Sequence, residues 1–230
     1  RIELDMLASN ADVVHTYRQL LGHHPRGVAH GRKLAAKRSS MSLFVLYFGL
    51  RTRHEDLRHH TVCFGQRYRG LIDEIFNGDK LAEDFSLYLH NPCVTDASLA
   101  PAGCSSLYVL APVPHLGNAD IDWDVEGPRY RERIFDYLEK HYIPGLREDL
   151  VTSRFVTPFD FRDTLNAHHG SAFSLEPVLT QSAWFRPHNR DSSLANLYLV
   201  GAGTHPGAGV PGVVASAKAT AGLMLQEAGR

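Results

Sequence analysis

The sequence lacks the features that mark disulfide-rich, membrane-spanning or nucleic-acid-binding proteins. Its 230 residues include only three cysteines, Cys63, Cys93 and Cys104, with no CxxC pair among them. An odd number of cysteines in this spacing argues against a disulfide framework or a zinc ribbon and favours a reducing compartment. The net charge is −1, and no basic stripe is present, so nothing in the sequence predicts a nucleic-acid partner.

Long apolar runs are also missing. The longest, LFVLYFGL at residues 43–50, is far shorter than the ~20 apolar residues that a membrane-spanning helix needs. It predicts a buried strand instead. No secretory signal opens the sequence, and no repeat or low-complexity tract interrupts it. The first residue is Arg1 rather than Met, at a point where we expect ordered structure, so we expect the chain to be a fragment of a longer protein.

The apolar residues that are present predict a mixed α/β chain with an antiparallel middle section. Strands are predicted at short runs of β-branched, aromatic and leucine residues, namely 43–50, 61–64, 85–90, 107–113 and 150–156. Helices are predicted where apolar residues recur every three or four positions, namely about 13–21 with Asp12 as N-cap, 67–76, and 128–142 with Pro128 in the first turn. The basic stretch that ends at Arg38 is predicted to be a connector.

The most informative segment is NLYLVGAGTHPGAGVPGVVASAKATAGLML, residues 196–225. A short apolar run at 197–200 is typical of a buried parallel strand, a glycine-rich loop follows, and a helix rich in small residues is predicted at 213–225. Glycines let the backbone approach a ligand, and a helix N-terminus attracts phosphate or an electron-rich ring. The segment therefore predicts a nucleotide or flavin cradle.

The GxGxxG pattern at residues 207–212 is weak evidence by itself. A dinucleotide-binding fingerprint needs strand, tight turn and helix in immediate succession, followed by a second strand. Here the pattern begins six residues after Gly201, and no second strand follows before Arg230. A structural glycine loop and a cofactor loop both remain compatible with the pattern alone.

The last third of the sequence, QSAWFRPHNR at 181–190 followed by the glycine segment, closely resembles the C-terminal signature of bacterial and fungal phytoene desaturases. Other blocks resemble the same family, namely ASNADVVHTYRQLL at 8–21, MSLFVLYFGL at 41–50, HHTVCFG at 59–65, EDFSLYLHNPCVTDASLAP at 83–101, YVLAPVPHLG at 108–117 and TPFDFRDTLNAHHGSAFSLEP at 157–177. The resemblance covers essentially the whole chain.

This resemblance implies a flavoprotein related to amine oxidases, with the chain as its C-terminal half. The implied fold is α/β (α+β mixed), the C-terminal part of a Rossmann-like FAD domain interleaved with a substrate domain of antiparallel sheet and helices. Residues 1–22 and 166–230 would belong to the FAD domain, and residues 23–165 to the substrate domain. The N-terminal phosphate-binding motif of the family lies outside this sequence, so the chain alone is expected to be inactive.

The resemblance also implies the cofactor, the substrate and the site. FAD would take a hydride from an allylic carbon of a long polyene hydrocarbon, phytoene, while a proton leaves the neighbouring carbon. The residues that the family pattern places next to FAD are Gly201, Ala202, Gly203, Thr204, His205, Gly209, Val210, Pro211, Gly212 and Val213. No residue of this chain is assigned as a catalytic acid or base.

Fourteen histidines raise the question of a metal site. Adjacent histidines, as in His59-His60 and His168-His169, are expected to point apart, so no metal site is predicted. His205 is the exception, because it lies inside the glycine loop, although a purely structural role is equally compatible. Trp184, Phe185 and Arg186 either line the flavin or substrate tunnel or, as we prefer, pack in the core.

Two rival functions stay open on the sequence alone. One is a carotenoid isomerase or oxidase on the same scaffold, and the other is a non-catalytic fragment that binds hydrophobic ligands. A C40 hydrocarbon substrate resides in bilayers, so we expect a cytoplasmic protein in peripheral contact with the inner face of the cell membrane. The 67–76 helix has an apolar side with basic neighbours and would suit such contact, but core packing is the preferred interpretation of that side.

Overall fold

The computed structural model describes residues 2–229, which form two compact units. One unit comprises the residues up to Met41 together with those from Phe161 onward, and the other is Ser42–Asp160. The strands are β1 Leu7–Ser9, β2 Ser42–Leu50, β3 His60–Cys63, β4 Leu87–His90, β5 Ser105–Val113, β6 Leu150–Val156 and β7 Leu197–Leu199. The helices are α1 Val13–His15, α2 Pro25–Ala35, α3 Tyr68–Asn77, α4 Trp123–His141, α5 Leu146–Asp149, α6 Pro158–Leu165 and α7 Val210–Ala228, with a π-helical turn at Thr16–Leu20 and short 3-10 turns at Pro92–Val94, Ala97–Leu99, His168–Gly170, Leu179–Gln181 and Ala183–Phe185.

The Ser42–Asp160 unit is built on a five-stranded sheet in the order β3-β4-β5-β2-β6. All of its pairings are antiparallel, and β2 lies between β5 and β6. Seven of the nine residues of β2 are buried, as a continuous apolar run predicts for a strand whose two faces are both covered. The antiparallel middle section predicted from the sequence is thereby confirmed.

Helix α4 packs on this sheet and completes an apolar core. Phe44 is fully buried, with its ring 5.1 Å from that of Tyr130 and 5.9 Å from that of Trp123, centroid to centroid. Phe48 meets Phe135 edge to face at 5.6 Å. Phe44 and Phe48 are four residues apart on β2 and so lie on the same side of the sheet, and their partners lie on one side of α4, which is the pattern expected of a strand and a helix that share one core.

The start of α4 was predicted wrongly. The helix begins at Trp123, five residues before the predicted start, so Pro128 lies inside it and not in its first turn. Asp122 is the N-cap, because its carboxylate accepts hydrogen bonds from the backbone N–H groups of Asp124 and Val125. Proline has no N–H to donate, so Pro128 costs α4 one backbone hydrogen bond near its N-terminal end. The stabilisation from the Asp122 cap and from the packing of this long helix exceeds that cost.

The second unit has a parallel two-stranded sheet, in which β1 pairs with β7 so that Leu7 faces Leu197 and Ser9 faces Leu199. The predicted N-cap is confirmed, since the Asp12 carboxylate accepts from the N–H groups of Val14 and His15. The same hydrogen bonds lower the pKa of Asp12, but its burial has the larger effect and leaves that pKa raised.

The connector predicted to end at Arg38 is instead mostly helix α2. His24 caps its first turn through Nδ1, and Pro25 occupies the first helical position. The helix packs through glycine: a Cβ at Gly27 would lie 1.9 Å from the Leu21 carbonyl oxygen. A contact face made of glycines leaves no apolar periodicity to detect, so the sequence pattern did not reveal it.

The packing of α2 also places the first division of the chain later than predicted. The units separate after Met41 and within α6, whereas the sequence predicted divisions after residues 22 and 165. Assignment of the units to flavin and substrate stays a prediction. Among residues 2–229, no helix combines the length and the apolar character that crossing a membrane requires.

Candidate functional site

The glycine segment forms a strand, a loop and a helix, as predicted. Strand β7 is fully buried and parallel to β1, and the helix that follows the loop is α7. Helix α7 begins at Val210, three residues before the predicted start at Val213. The mixed α/β fold is therefore confirmed, and the predicted site residues can be located one by one.

The first half of the predicted loop lies inside the fold. Gly201 has φ of +109°, and a Cβ there would lie 2.5 Å from Asn10 Oδ1. A Cβ at Gly203 would approach Val13 Cγ1 to 2.9 Å. The fully buried Thr204 donates its hydroxyl to the Gly201 carbonyl at 2.8 Å. These positions shape the turn at the end of β7 and leave no room for larger side chains.

Two hydroxyl side chains fasten α7 to this turn. Ser216 Oγ accepts a hydrogen bond from the Gly201 N–H at 3.1 Å, and Thr220 donates to the Leu199 carbonyl at 2.8 Å. The buried amide Nδ2 of Asn189 lies 3.0 Å from Ser216 Oγ and 3.1 Å from Thr220 Oγ1. Sequence reasoning missed all three side chains. Their only signal was a pair of hydroxyls four residues apart in an otherwise small and apolar helix.

Arg186 holds the other side of the turn. Its guanidinium is only 3% exposed and donates to the carbonyls of Ala202 at 2.8 Å and Leu175 at 2.9 Å. Burial lowers the pKa of Arg186. Trp184 and Phe185 are 66% and 63% exposed, so the preferred interpretation of these two aromatic side chains as core residues is wrong.

The second half of the loop is open. Gly209 is the N-cap of α7, has φ of +89°, and a Cβ there would meet no atom within 4 Å. Val210 is 76% exposed, and Pro211 is also exposed. Half-buried Val213 donates its N–H to the Gly209 carbonyl at 2.9 Å. The helix thus begins at the surface with no side-chain cap, and its N-terminal partial positive charge faces open space.

The remaining predicted residues, Gly212 and His205, connect the two halves. A Cβ at Gly212 would lie 2.6 Å from the Gly207 carbonyl oxygen, so the backbone of the loop and that of α7 approach closely at this residue. The backbone N–H of His205 donates to the Pro187 carbonyl at 2.9 Å. Within residues 2–229, the buried His205 Nδ1 has no hydrogen-bond partner. A buried nitrogen without a partner is uncommon in a folded protein.

A buried charge lies in the same unit. Tyr17 donates its hydroxyl to Asp191 at 2.5 Å, and Arg26 pairs with the same carboxylate at 3.1 Å. Burial by itself raises the pKa of Asp191. The hydrogen bonds that its carboxylate accepts from Tyr17, from the N–H groups of Ser193 and Leu194, and from Arg26 together outweigh burial and lower the pKa to about 2. Burial and the bonded carboxylate raise the pKa of Tyr17. The carboxylate is therefore ionised at neutral pH.

Helix α7 buries polar side chains and exposes apolar ones. Ser216 and Thr220 are its buried residues, whereas Val210, Val214 and Leu225 are 76%, 63% and 74% exposed. A soluble helix normally shows the reverse arrangement. The outward side of α7 is thus an apolar surface next to the open glycine loop.

The histidine pairs correct another expectation. Adjacent rings do not point apart: the ring centroids of His59 and His60 are 4.2 Å apart, and those of His168 and His169 are 3.9 Å apart. His59 precedes the first residue of β3, and the His168 pair lies in a short turn, so strand alternation does not apply to either pair.

The family is settled by comparison with known proteins. The model of the flavin-containing amine oxidoreductases matches residues 7–225, so the chain belongs to that family. It is 75% identical over 221 residues to a lycopene-forming phytoene desaturase of Pantoea ananas, covering 96% of this chain and 45% of that protein. It is 71% identical to a lycopene-forming phytoene desaturase of Pseudescherichia vulneris, covering 98% of this chain and 46% of the relative. The chain spans just under half the length of these curated relatives.

A solved structure supports the fold. An oxidoreductase from Methanosarcina mazei superposes with a TM-score of 0.55 at 13% sequence identity, over 97% of this chain and 43% of that one. The resemblance to bacterial phytoene desaturases noted from the sequence motifs is confirmed by the identities above. The role of each loop residue toward a cofactor stays a prediction.

Proposed function

We propose that this chain forms the C-terminal part of an FAD-dependent phytoene desaturase and supplies one side of its flavin site. The observation that carries the proposal is the open N-terminus of α7, which follows a glycine loop fixed from behind by buried hydrogen bonds. The family membership and the two desaturase relatives support the choice of cofactor and substrate.

The residues of the loop fit such a cofactor. Gly209 lets the backbone pass without a Cβ at a point where one would face open space. The uncapped first turn of α7 offers N–H groups and positive dipole to a phosphate or to the electron-rich edge of a flavin ring. Thr204, Ser216 and Arg186 do not face this opening; they are buried, and they hold the loop in position.

The proposed chemistry assigns the redox step to the cofactor and the positioning of the cofactor to the chain. Bound FAD would supply the acceptor for a hydride from an allylic carbon of the polyene. The residues of the chain bind and orient the flavin and keep the loop rigid, so no nucleophile is required of them. We infer that the unit of residues 42–160 provides the substrate domain, and that the other unit provides the flavin domain.

A flavin titration tests the proposal. FAD fluorescence is followed on addition of this chain, of the N-terminal half of the Pantoea ananas relative, and of the two mixed. We expect tight binding only for the mixture, because each half offers part of one site. Tight binding by this chain alone contradicts a shared site, and the absence of binding in all three samples favours a non-catalytic fragment.

A pair of glycine variants makes the test specific for the loop. Gly209→Ala is expected to weaken FAD binding by the mixture about tenfold, because a side chain strains a positive φ and crowds the opening. Gly103→Ala is the matched control, since Gly103 has φ of +79° and equal space but lies in the other unit. Equal losses in both variants would mean that backbone strain alone is responsible. Product analysis of the reconstituted protein separates a desaturase from an isomerase or oxidase.

Peripheral membrane contact is the second part of the proposal. Phe64, just before α3, and Tyr68 and Ile72, in α3, are 68%, 52% and 39% exposed and four residues apart in sequence. The exposed Arg69 lies next to Tyr68. Apolar side chains next to a basic one favour the surface of an anionic bilayer, at the inner face of the cell membrane. We expect the reconstituted protein to float with anionic liposomes, and Phe64→Ser together with Ile72→Ser to abolish flotation. Unchanged flotation of the double variant would contradict this assignment.

A further inference from the structure

The outer strands of the 42–160 sheet carry a cluster of three histidines that the flavin chemistry does not use. His60 of β3 is the cross-strand partner of His90 of β4, so both rings project from one side of the sheet. His59, at the entry to β3, brings its ring to 4.7 Å from that of His90, centroid to centroid. One nitrogen from each ring lies within 4.8 Å of the other two.

We propose that His59, His60 and His90 bind a divalent transition-metal ion of the zinc type, with a fourth, open position filled by water. Three imidazoles and one open position are a common zinc arrangement, and imidazole is a preferred ligand of Zn²⁺, Cu²⁺ and Ni²⁺. The cluster is half-buried to exposed, so an ion can reach it from solvent.

The hydrogen bonds of the cluster favour ligation through Nε2. His59 Nδ1 lies 2.6 Å from Thr95 Oγ1, and His60 Nδ1 lies 2.6 Å from the Tyr88 hydroxyl. Oxygen partners on Nδ1 fix the ring orientation and leave Nε2 free for the metal. Metal-binding histidines usually have such a hydrogen-bond partner on the nitrogen that does not bind the metal. His59 Nε2 and His90 Nε2 already lie 2.9 Å apart.

Small movements complete the site. Metal–nitrogen bonds of about 2.0–2.1 Å in a tetrahedron require nitrogens about 3.4 Å apart, so the Nε2 atoms of His59 and His90, which lie 2.9 Å apart, must separate slightly. A histidine that binds a metal through Nε2 has a neutral ring and carries its proton on Nδ1. Within the described residues, the buried His90 Nδ1 has no partner for the proton it would then carry. We therefore expect micromolar affinity and not the tighter binding of structural zinc sites.

The ion would join an edge strand to its neighbour. Strand β3 is four residues long and lies at the end of the sheet, so its pairing with β4 rests on few backbone hydrogen bonds. A metal bound to His59 and His60 from one side and to His90 from the other crosslinks the two strands. Metal binding is thereby expected to raise the melting temperature of this unit.

Calorimetric titration with Zn²⁺ of the chelator-treated chain tests the site, with Co²⁺ absorption as a second readout. We expect one ion per chain and the visible bands of tetrahedral Co²⁺. His60→Gln removes an exposed ligand with little risk to folding and should weaken binding at least about tenfold. Tyr88→Phe removes the hydroxyl that His60 Nδ1 contacts and should weaken binding about tenfold as well. His23→Gln is the matched control, since His23 is exposed and also belongs to an adjacent pair.

Three results would overturn the proposal. One is equal Zn²⁺ affinity of His60→Gln and the unsubstituted chain. Another is an equal loss in His23→Gln, which would indicate adventitious binding by scattered histidines. The third is octahedral Co²⁺ absorption, which would exclude a three-histidine tetrahedral site. Circular dichroism of each variant without metal identifies a variant that fails to fold, in which case His90→Gln replaces it.

Discussion

The two compact units of this chain are stabilised by different means. In the 42–160 unit, a continuous apolar core joins the five-stranded sheet to α4. In the other unit, the apolar cluster is small and consists of Val13, Val14, Tyr17, Leu34, Leu197 and Leu199. Much of what is buried around its glycine loop is polar, including Asn189, Thr204, Ser216 and Thr220.

The difference reflects what each unit must hold in place. Apolar burial is non-directional and stabilises a sheet without fixing any one atom. Hydrogen bonds are directional, so the bonds that Ser216, Thr220 and Arg186 make to the backbone fix the glycine loop and the end of β7 in one arrangement. The same unit exposes the apolar side of α7.

The largest expected effect lies in the apolar unit. Phe44→Ala removes a fully buried ring that touches Trp123, Tyr130 and Phe155, and should lower the free energy of unfolding by about 3–5 kcal/mol. The chain has two tryptophans, so a Trp184→Phe background leaves buried Trp123 as a fluorescence reporter of this unit alone.

Tyr47→Ala on the same strand is the control for Phe44→Ala. Tyr47 is 46% exposed, so its removal should cost less than about 1 kcal/mol. Urea denaturation followed by Trp123 fluorescence measures both variants. A loss below about 1 kcal/mol for Phe44→Ala would mean that the core refills the cavity, and the contrast between the units would then be overstated.

The next effect concerns the polar unit. Asn189→Ala removes the amide that lies between Ser216, Thr220 and the His205 carbonyl, and is expected to cost about 2–3 kcal/mol. Ser216 and Thr220 keep their other hydrogen bonds, whereas the His205 carbonyl loses the donated bond of Asn189. Hydrogen–deuterium exchange should accelerate in peptides from α7 and β7 and stay unchanged in β2 and β5. Asn196→Ala is the control, because Asn196 is exposed. Equal acceleration in both units would show that they unfold together.

The sequence predicted the sheet unit better than the glycine-loop unit, and the reason lies in particular residues. Residues 43–50 form a continuous apolar run, and apolar residues recur every three or four positions in α4, so both elements are visible as patterns in the sequence. Helix α2 packs through Gly27 and Gly31, which leave no such trace. Pro128 is a stronger sequence indicator of a helix start than Asp122, so the predicted start of α4 was five residues too late.

At the candidate site, the sequence predicted the loop but not its supports. The glycines and the helix that follows them are visible as a motif, because each needs a particular backbone. Asn189 and Arg186 act through contacts 10 to 31 residues away along the chain, which no local pattern encodes. Likewise, the alternation of side chains along a strand predicted that adjacent histidines point apart. That prediction was wrong for His59 and His60, because His59 lies before the first residue of β3, where alternation does not apply.

The smallest expected effect depends on pH and tests whether the buried charge of the polar unit is stabilising. Bonds to the Asp191 carboxylate lower its pKa from 3.8 to about 2, so an unfolded chain binds more protons than the folded one between these values. The stabilisation is therefore fully present above pH 4 and is lost as the pH falls through about 2. From the size of this shift, Asp191→Asn should cost about 2 kcal/mol at pH 6 and almost nothing near pH 2. Urea midpoints of both proteins across this range measure the difference, with exposed Asp5→Asn as control. A difference that stays constant with pH would mean that Asp191 contributes through packing and hydrogen-bond geometry alone, and that its charge adds nothing to the stability of this unit.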